Sequence, residues 1–132
     1  MSRTLFLNLT TKDVSRASDF YTALGFELVP DFTNEQAACV KINDQLFAML
    51  VSESFFSTIV TDHIAWTGTG AAYALSAESR EEVDELVQKA LATGGQKAKD
   101  PQDEGFMYGW SFLDPDGHHW EVMWMDPNAG AA

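Results

Sequence analysis

A chain of 132 residues, 45% hydrophobic and with four tryptophans, has enough apolar material for one compact core and too much for a disordered segment. Its 8 basic residues against 20 acidic ones give a formal charge of −12, which argues against a nucleic-acid partner or an anionic lipid surface. Binding to phosphate depends on Lys and Arg displacing counterions, and this surface lacks them.

Cys39 is the single cysteine, so no intrachain disulfide and no Cys-x-x-Cys redox or metal pair can form. It sits in an apolar run, where a small buried hydrophobe is the expected role. With no signal-like start and no apolar run as long as a membrane span, the expectation is a cytoplasmic protein with no membrane partner.

Thr4 to Thr10 reads as a strand with Leu5, Leu7 and Leu9 on one side and Phe6 and Asn8 on the other. Asp13 caps a helix whose apolar face carries Val14, Ala17, Phe20, Tyr21 and Leu24, and Gly25 ends it. Phe26 to Val29 is a short strand. Gln36 to Ile42 and Gln45 to Val51 form a hairpin across Asn43-Asp44, a pair that tolerates left-handed backbone. From Ser52 to Gly70 the strand pattern breaks; Phe55, Phe56, Ile59 and Val60 have helical spacing, and Gly68-Thr69-Gly70 is a flexible connection.

Ala71 to Ala77 is again strand-like. Ser79-Arg80-Glu81-Glu82 is a capping box opening a helix with Val83, Leu86, Val87, Ala90 and Leu91 on one face, stopped by Gly94-Gly95. A short strand spans Gln96 to Ala98. Two apolar strands, Met107 to Leu113 and His118 to Met125, then flank Asp114-Pro115-Asp116-Gly117, where Pro fixes φ and Gly closes a type I turn. The same strand–helix–strand–strand–strand order thus appears twice. The expected fold class is α+β: two βαβββ modules, 1–52 and 71–126, whose curved mixed sheets form a cleft. A linker at 53–70 joins them, and a disordered tail is expected at 127–132.

Alternation assigns faces. Pairing Leu113 with His118 sets Phe112 opposite His119, Trp110 opposite Glu121 and Tyr108 opposite Met123, all on one side. Trp120, Val122 and Trp124 then share the other side with Met107 and Leu113 and pack on helices. Pairing Ile42 with Gln45 puts Val40 opposite Phe47 and Ala38 opposite Met49. The face left over reads as a pocket wall or as packing for a second subunit. Its expected lining is Phe6, Asn8, Val40, Phe47, Met49, Tyr108, Trp110, Phe112, His119 and Met123. Glu121 stands in an otherwise apolar strand, and an unpartnered buried carboxylate is costly, so it lines a cavity or binds something.

Three stretches carry a resemblance: Leu7-Asn8-Leu9 with Lys12-Asp13; Phe20-Tyr21-Thr22-Ala23-Leu24-Gly25-Phe26; and Phe112-Leu113-Asp114-Pro115-Asp116-Gly117-His118-His119-Trp120-Glu121. In these the chain resembles the vicinal oxygen chelate superfamily, which includes glyoxalase I, bleomycin-resistance proteins and extradiol dioxygenases. The resemblance implies a homodimer with paired small-molecule cavities. In metal-dependent relatives four strands hold a divalent cation, at positions that fall here near Asn8, Met49, Ala72 and Glu121. Only Glu121 is a usual ligand; Asn8 offers a weak carbonyl, and Met49 and Ala72 cannot serve a hard ion.

No metal cofactor is therefore expected, nor a working glyoxalase I. The alternative is Ni, Zn, Fe or Mn on Glu121, His119 and Asn8, supporting a lyase or dioxygenase. Without metal, Glu121 is the candidate catalytic acid or base, or is simply hydrogen-bonded by Asn8, Tyr108 or a buried water. An aromatic cleft in an acidic chain suits an aromatic or apolar small molecule, including flat cations of the bleomycin type. A scaffold with a plugged cleft is the third reading.

Overall fold

The protein is described by a computed structural model covering residues 2–128. The chain divides into two compact units, Met1–Gly68 and Thr69–Ala132. Both are α+β, and each repeats the βαβββ order expected from the sequence.

The first unit runs β1 (Leu5–Thr11), α1 (Val14–Ala23), β2 (Glu27–Val29), a single 3-10 turn (Pro30–Phe32), β3 (Ala37–Asn43), β4 (Leu46–Ser52) and α2 (Glu53–Ile59). Its strands lie in the order β1-β4-β3-β2, with β1 parallel to β4 and the other pairs antiparallel. Asp13 caps α1 as its sequence position suggests, its Oδ1 accepting the Arg16 N–H at 3.0 Å. Ser52 caps α2 in the same way, accepting the Phe55 N–H at 3.2 Å. Leu9, Ala38, Val40, Ala48 and Leu50 share one sheet face and are at most 2% exposed. With the buried Ala17, Phe20, Tyr21 and Leu24 of α1 they make this unit's core.

The β3–β4 hairpin corrects one expectation. The ladder is irregular between Lys41 and Asn43, and the turn falls on Asp44-Gln45. Val40 consequently pairs with Ala48 and Cys39 with Met49. Asn43 does not need left-handed backbone, because its Oδ1 accepts the Gln45 N–H at 2.9 Å and closes the turn from the side chain. Val40 therefore lies in the core, fully buried, rather than on the pocket wall beside Phe47.

The second unit runs β5 (Ala72–Ser76), α3 (Arg80–Ala92), β6 (Gln96–Lys97), β7 (Gln102–Asp103), β8 (Met107–Leu113) and β9 (His119–Met125). Its order, β5-β9-β8-β6, repeats that of the first, with β5 parallel to β9 and β7 added along the outer edge of β8. Ser79 caps α3 by accepting the Glu82 N–H at 3.0 Å. Val83, Val87 and Ala90 of α3 are fully buried, as are Phe112, Trp120 and Val122 of the sheet at 1% exposure each. Full burial of side chains of this size stabilises by about 1.5–3 kcal/mol apiece. Asn128 N–H closes a turn on Asp126 Oδ1 at 2.9 Å; the rest of the expected tail, 129–132, lies outside the described residues.

Close packing between α3 and β8 gives a stability prediction. A Cβ at Gly95 would lie 2.6 Å from the Ala90 carbonyl oxygen and 3.1 Å from that of Leu113. Gly95→Ala should cost about 1–3 kcal/mol in urea unfolding. Gly70→Ala, with no atom within 4 Å of the added carbon, should stay within about 0.5 kcal/mol.

Candidate functional site

The site's geometry is set by the turn between β8 and β9. Gly117 N–H donates to the Asp114 carbonyl at 3.0 Å, the bond of the expected type I turn. Gly117 itself then takes a left-handed φ of +92°, and Asp114 N–H donates to the His118 carbonyl at 2.9 Å. A type I turn followed by a left-handed residue is a three-residue loop with a bulge. The buried Asp114 carboxylate secures it, with Oδ1 accepting the N–H groups of Asp116 and His118 at 2.9 Å each.

The bulge moves the ladder by one residue. Leu113 pairs with His119, Ser111 with Glu121, Gly109 with Met123 and Met107 with Met125. A one-residue slip turns every side chain of the strand to the other face. Tyr108, Trp110 and Phe112 therefore leave Glu121 and join Trp124, Val122 and Trp120 on the opposite side, Phe112 being only 1% exposed. This corrects the expected facing of three pocket residues, although Trp110 still borders the cleft beside Glu121, and it places Met107 on the face with Glu121. Tyr108 is also not the partner of Glu121; its hydroxyl donates to Asp84 Oδ1 at 2.5 Å.

His119, Glu121 and Met123 rise along β9 between two rows of mostly small residues. On the β5 side stand Ala72, Ala74 and Ser76, and on the β8 side Leu113, Ser111 and Gly109. Beside Glu121 and Met123 is a cleft of about 40 Å³, walled on its far side by Lys99, Asp100 and Gln102. Beyond Met123 and toward Met125 opens a shallower, mostly apolar recess of about 370 Å³ along Ala74 to Ala77. Glu121 is half-buried, and its carboxylate has no hydrogen-bond or ion-pair partner among the described residues.

Of the pocket residues expected from the first unit, Phe6, Asn8, Phe47 and Met49 do share one face. There Phe6 and Phe47 stack on each other, with centroids 5.1 Å apart and planes 16° from parallel. Cys39 lies beside Met49, 1% exposed, and burial pushes its thiol up, away from the reactive thiolate. A separate open groove of about 700 Å³ follows the start of α1 and is of mixed polar and apolar surface, with Lys12, Glu35 and Glu53 among its lining. Lys12 Nζ sits 4.7 Å from the Trp66 ring centroid. Nothing in the strand and helix periodicity pointed to this groove.

Within the second unit, few donors stand beside Glu121. The neighbours of Glu121 on its own face are Ala74 and Ser111, and of His119, Ala72 and Leu113. No group of three or more His, Cys, Asp or Glu able to hold an ion occurs among the described residues. One imidazole and one carboxylate two residues apart fall short of the three protein ligands such sites use.

Sequence reasoning gave Arg80 only a place in a capping box. In the structure its Nη1 reaches Asp103 Oδ2 at 2.6 Å and its Nη2 the Gly105 carbonyl at 2.8 Å. Its guanidinium carbon lies over the rings of Tyr108, at 5.3 Å, and Trp124, at 5.1 Å. The hydrogen bond from Arg80 holds Asp103 below the usual carboxylate range. Only the fold brings these residues, spread over 44 positions from Arg80 to Trp124, together.

Tyr108 supplies a measurable consequence. Its hydrogen bond to Asp84, aided by desolvation, pushes the phenol from 10.0 up to about 12. The folded state holds this proton more tightly than the unfolded chain. The contribution is complete below the unfolded value and is lost as pH rises through the folded one. In a phenolate absorbance titration, with Tyr108→Phe as the subtraction control, Tyr108 should titrate well above 10.0, and Asp84→Asn should bring it back toward 10.0.

Comparison with known proteins agrees with this architecture. The profile of the Glyoxalase/Bleomycin resistance protein/Dioxygenase superfamily matches residues 3–122. No functionally curated protein matches significantly. Among solved structures, the hypothetical protein SA1046 from S. aureus is 27% identical, with a TM-score of 0.79 over 93% of this chain and 94% of that one. A glyoxalase/bleomycin resistance protein/dioxygenase family enzyme from Burkholderia phytofirmans PsJN is 18% identical, with a TM-score of 0.80 over 94% and 99% of the two chains. A lactoylglutathione lyase from Agrobacterium tumefaciens is 21% identical, with a TM-score of 0.68 over 94% of each chain. At these last two identities the likeness is one of fold. With the profile spanning nearly its whole length, the chain belongs to the Glyoxalase/Bleomycin resistance protein/Dioxygenase superfamily.

Proposed function

We propose that the protein captures an apolar or aromatic small molecule on the Glu121 face of its second unit, without a metal ion. The observation that carries this reading is the setting of Glu121. It is an unpaired, half-buried carboxylate whose cross-strand neighbours, Ala74 and Ser111, are small residues, at the end of a methionine-lined trough.

Each part of that setting has a binding consequence. Small residues on β5 and β8 leave room above the sheet, and a recess of about 370 Å³ falls in the size range of ligand pockets. Met123 and Met125 present flexible, polarizable thioethers that adapt to flat apolar shapes and contact aromatic rings. A carboxylate beside such a floor selects for a ligand that carries positive charge on an apolar body. The net charge of −12 raises the local concentration of such cations.

Homodimerisation belongs to the same reading. Leu5 and Phe6, 56% and 49% exposed on the edge strand β1, are apolar surface of the kind a second copy covers. No helix among the described residues is long and apolar enough to cross a membrane.

The test is titration of flat organic cations and matched neutral analogues, followed by calorimetry and by the methyl resonances of the methionines. Binding should shift Met123 and Met125 while leaving Met49 unmoved. Glu121→Gln should weaken the cations by roughly 10–100-fold, the value of a charged hydrogen bond, and the neutral analogues little. Near-stoichiometric uptake of Ni, Zn, Fe or Mn, abolished by His119→Ala, would instead establish the metal-dependent lyase or dioxygenase.

A further inference from the structure

The wall of the Glu121 cleft is held in an unusual way. Lys99, Asp100 and Gln102 close one side of it, opposite Glu121 and Met123. The segment they belong to, 99–106, is exposed at every residue, so little buried apolar surface holds it down. Its strand β7 is two residues long, Gln102 opposite Gly109 and Asp103 opposite Tyr108. Pro101 has no N–H with which to extend that ladder backward. The other ties are Lys99 N–H to Ser111 Oγ at 3.2 Å, Glu104 N–H to the Met107 carbonyl at 2.9 Å and Asp126 N–H to the Phe106 carbonyl at 2.8 Å.

Arg80 is the strongest tie by geometry. It grips Asp103 and the Gly105 carbonyl at once, while Asp103 Oδ1 accepts the Gly105 N–H at 2.9 Å, so ion pair and turn form one unit. The residue opens α3, which is anchored in the core through Val83 and Val87. Two aromatic rings support the guanidinium and limit the conformations it can adopt. A long cation so positioned links a firm helix to a lightly held edge.

The small size of the cleft makes the wall matter. About 40 Å³ is room for roughly one water molecule, whose share of liquid volume is about 30 Å³. A ligand that reaches Glu121 through this cleft has to displace the wall. We propose that residues 99–106 form a strap over the Glu121 cleft, latched by Arg80, and that release of the latch opens Glu121, Met107 and Met123 to a ligand. The functional meaning of the strap rests on the binding reading above, but its movement does not.

Two readouts on the whole protein test the latch without any ligand. Hydrogen exchange across 99–106 reports strap opening, and peroxide oxidation of Met107 and Met123 reports access to the cleft. Met125, already 55% exposed, is the internal control. In Arg80→Gln, strap amides should exchange about three- to tenfold faster, with Met107 and Met123 oxidised correspondingly faster. Met125 and the amides of α3 should be unchanged. If Arg80→Gln loosens α3 itself, Asp103→Asn, which cuts the same ion pair from the strap, decides the matter. Unchanged strap exchange in the folded variants overturns the proposal, and so does faster exchange with no gain in methionine oxidation. Strap opening as expected alongside no ligand binding would sink the binding reading and leave the latch standing.

Discussion

Gly117 adopts a left-handed backbone, φ +92°, that costs a residue with a side chain about 1–2 kcal/mol, and the register of β8 against β9 follows from it. The bulge inserts one residue into the connection, and the buried Asp114 carboxylate locks it by accepting two backbone N–H groups. Every side chain of β8 is oriented by this one loop. Aromatic Tyr108, Trp110 and Phe112 face the same way as Trp120 and Val122, and Met107, Gly109 and Ser111 line up with Glu121 and Met123. The ring-rich face buries the larger apolar area, so packing and turn chemistry favour the same register.

That register also settles the chemical character of the Glu121 face. An aromatic floor would have enclosed the carboxylate in rings and favoured stacking. The observed floor is small and thioether-rich, with Ala74 and Ser111 as the flanking residues. Such a surface is adaptable rather than shape-selective, because methionine has three rotatable bonds and no branching. Under the proposed binding role, selectivity then falls to the single charge. Tyr108, moved off that face, is not idle: with Trp124 it braces Arg80, and through it the segment that walls the cleft.

Much of this could be read from the chain. Both helix caps, Asp13 and Ser79, the apolar faces behind them and the duplicated order of elements stand where the sequence puts them. Period and capping are local signals, and local signals survive tertiary packing. Register was the weak point, since it depends on a difference of one residue in a turn. For β8–β9 the cue was present: a glycine ending Asp-Pro-Asp-Gly favours the bulged three-residue loop over a tighter one. For β3–β4 no comparable cue exists, because Asn43 closes its turn through a side-chain hydrogen bond that Asn43-Asp44 and Asp44-Gln45 turns accommodate alike. The Arg80 cluster was out of reach for another reason: its members are far apart in sequence, and no periodicity links them.

The two units also show why topology alone does not locate a binding site. Each places one strand, β4 or β9, between a parallel neighbour and an antiparallel one. In the first unit Phe47 is flanked by Phe6 and Lys41, so a ring and a long side chain stand on either side of it, while Met49 lies between the shorter Asn8 and Cys39. In the second, Glu121 is flanked by Ala74 and Ser111, and Met123 by Ser76 and Gly109. At Gly109 even a Cβ would already touch Met123 Cγ, at 3.5 Å. Side-chain volume therefore crowds Phe47 in one copy of the module and spares Glu121 in the other. The Phe6–Phe47 stack stabilises its own sheet by satisfying two rings with each other, whereas the Glu121 carboxylate has no such partner among the described residues.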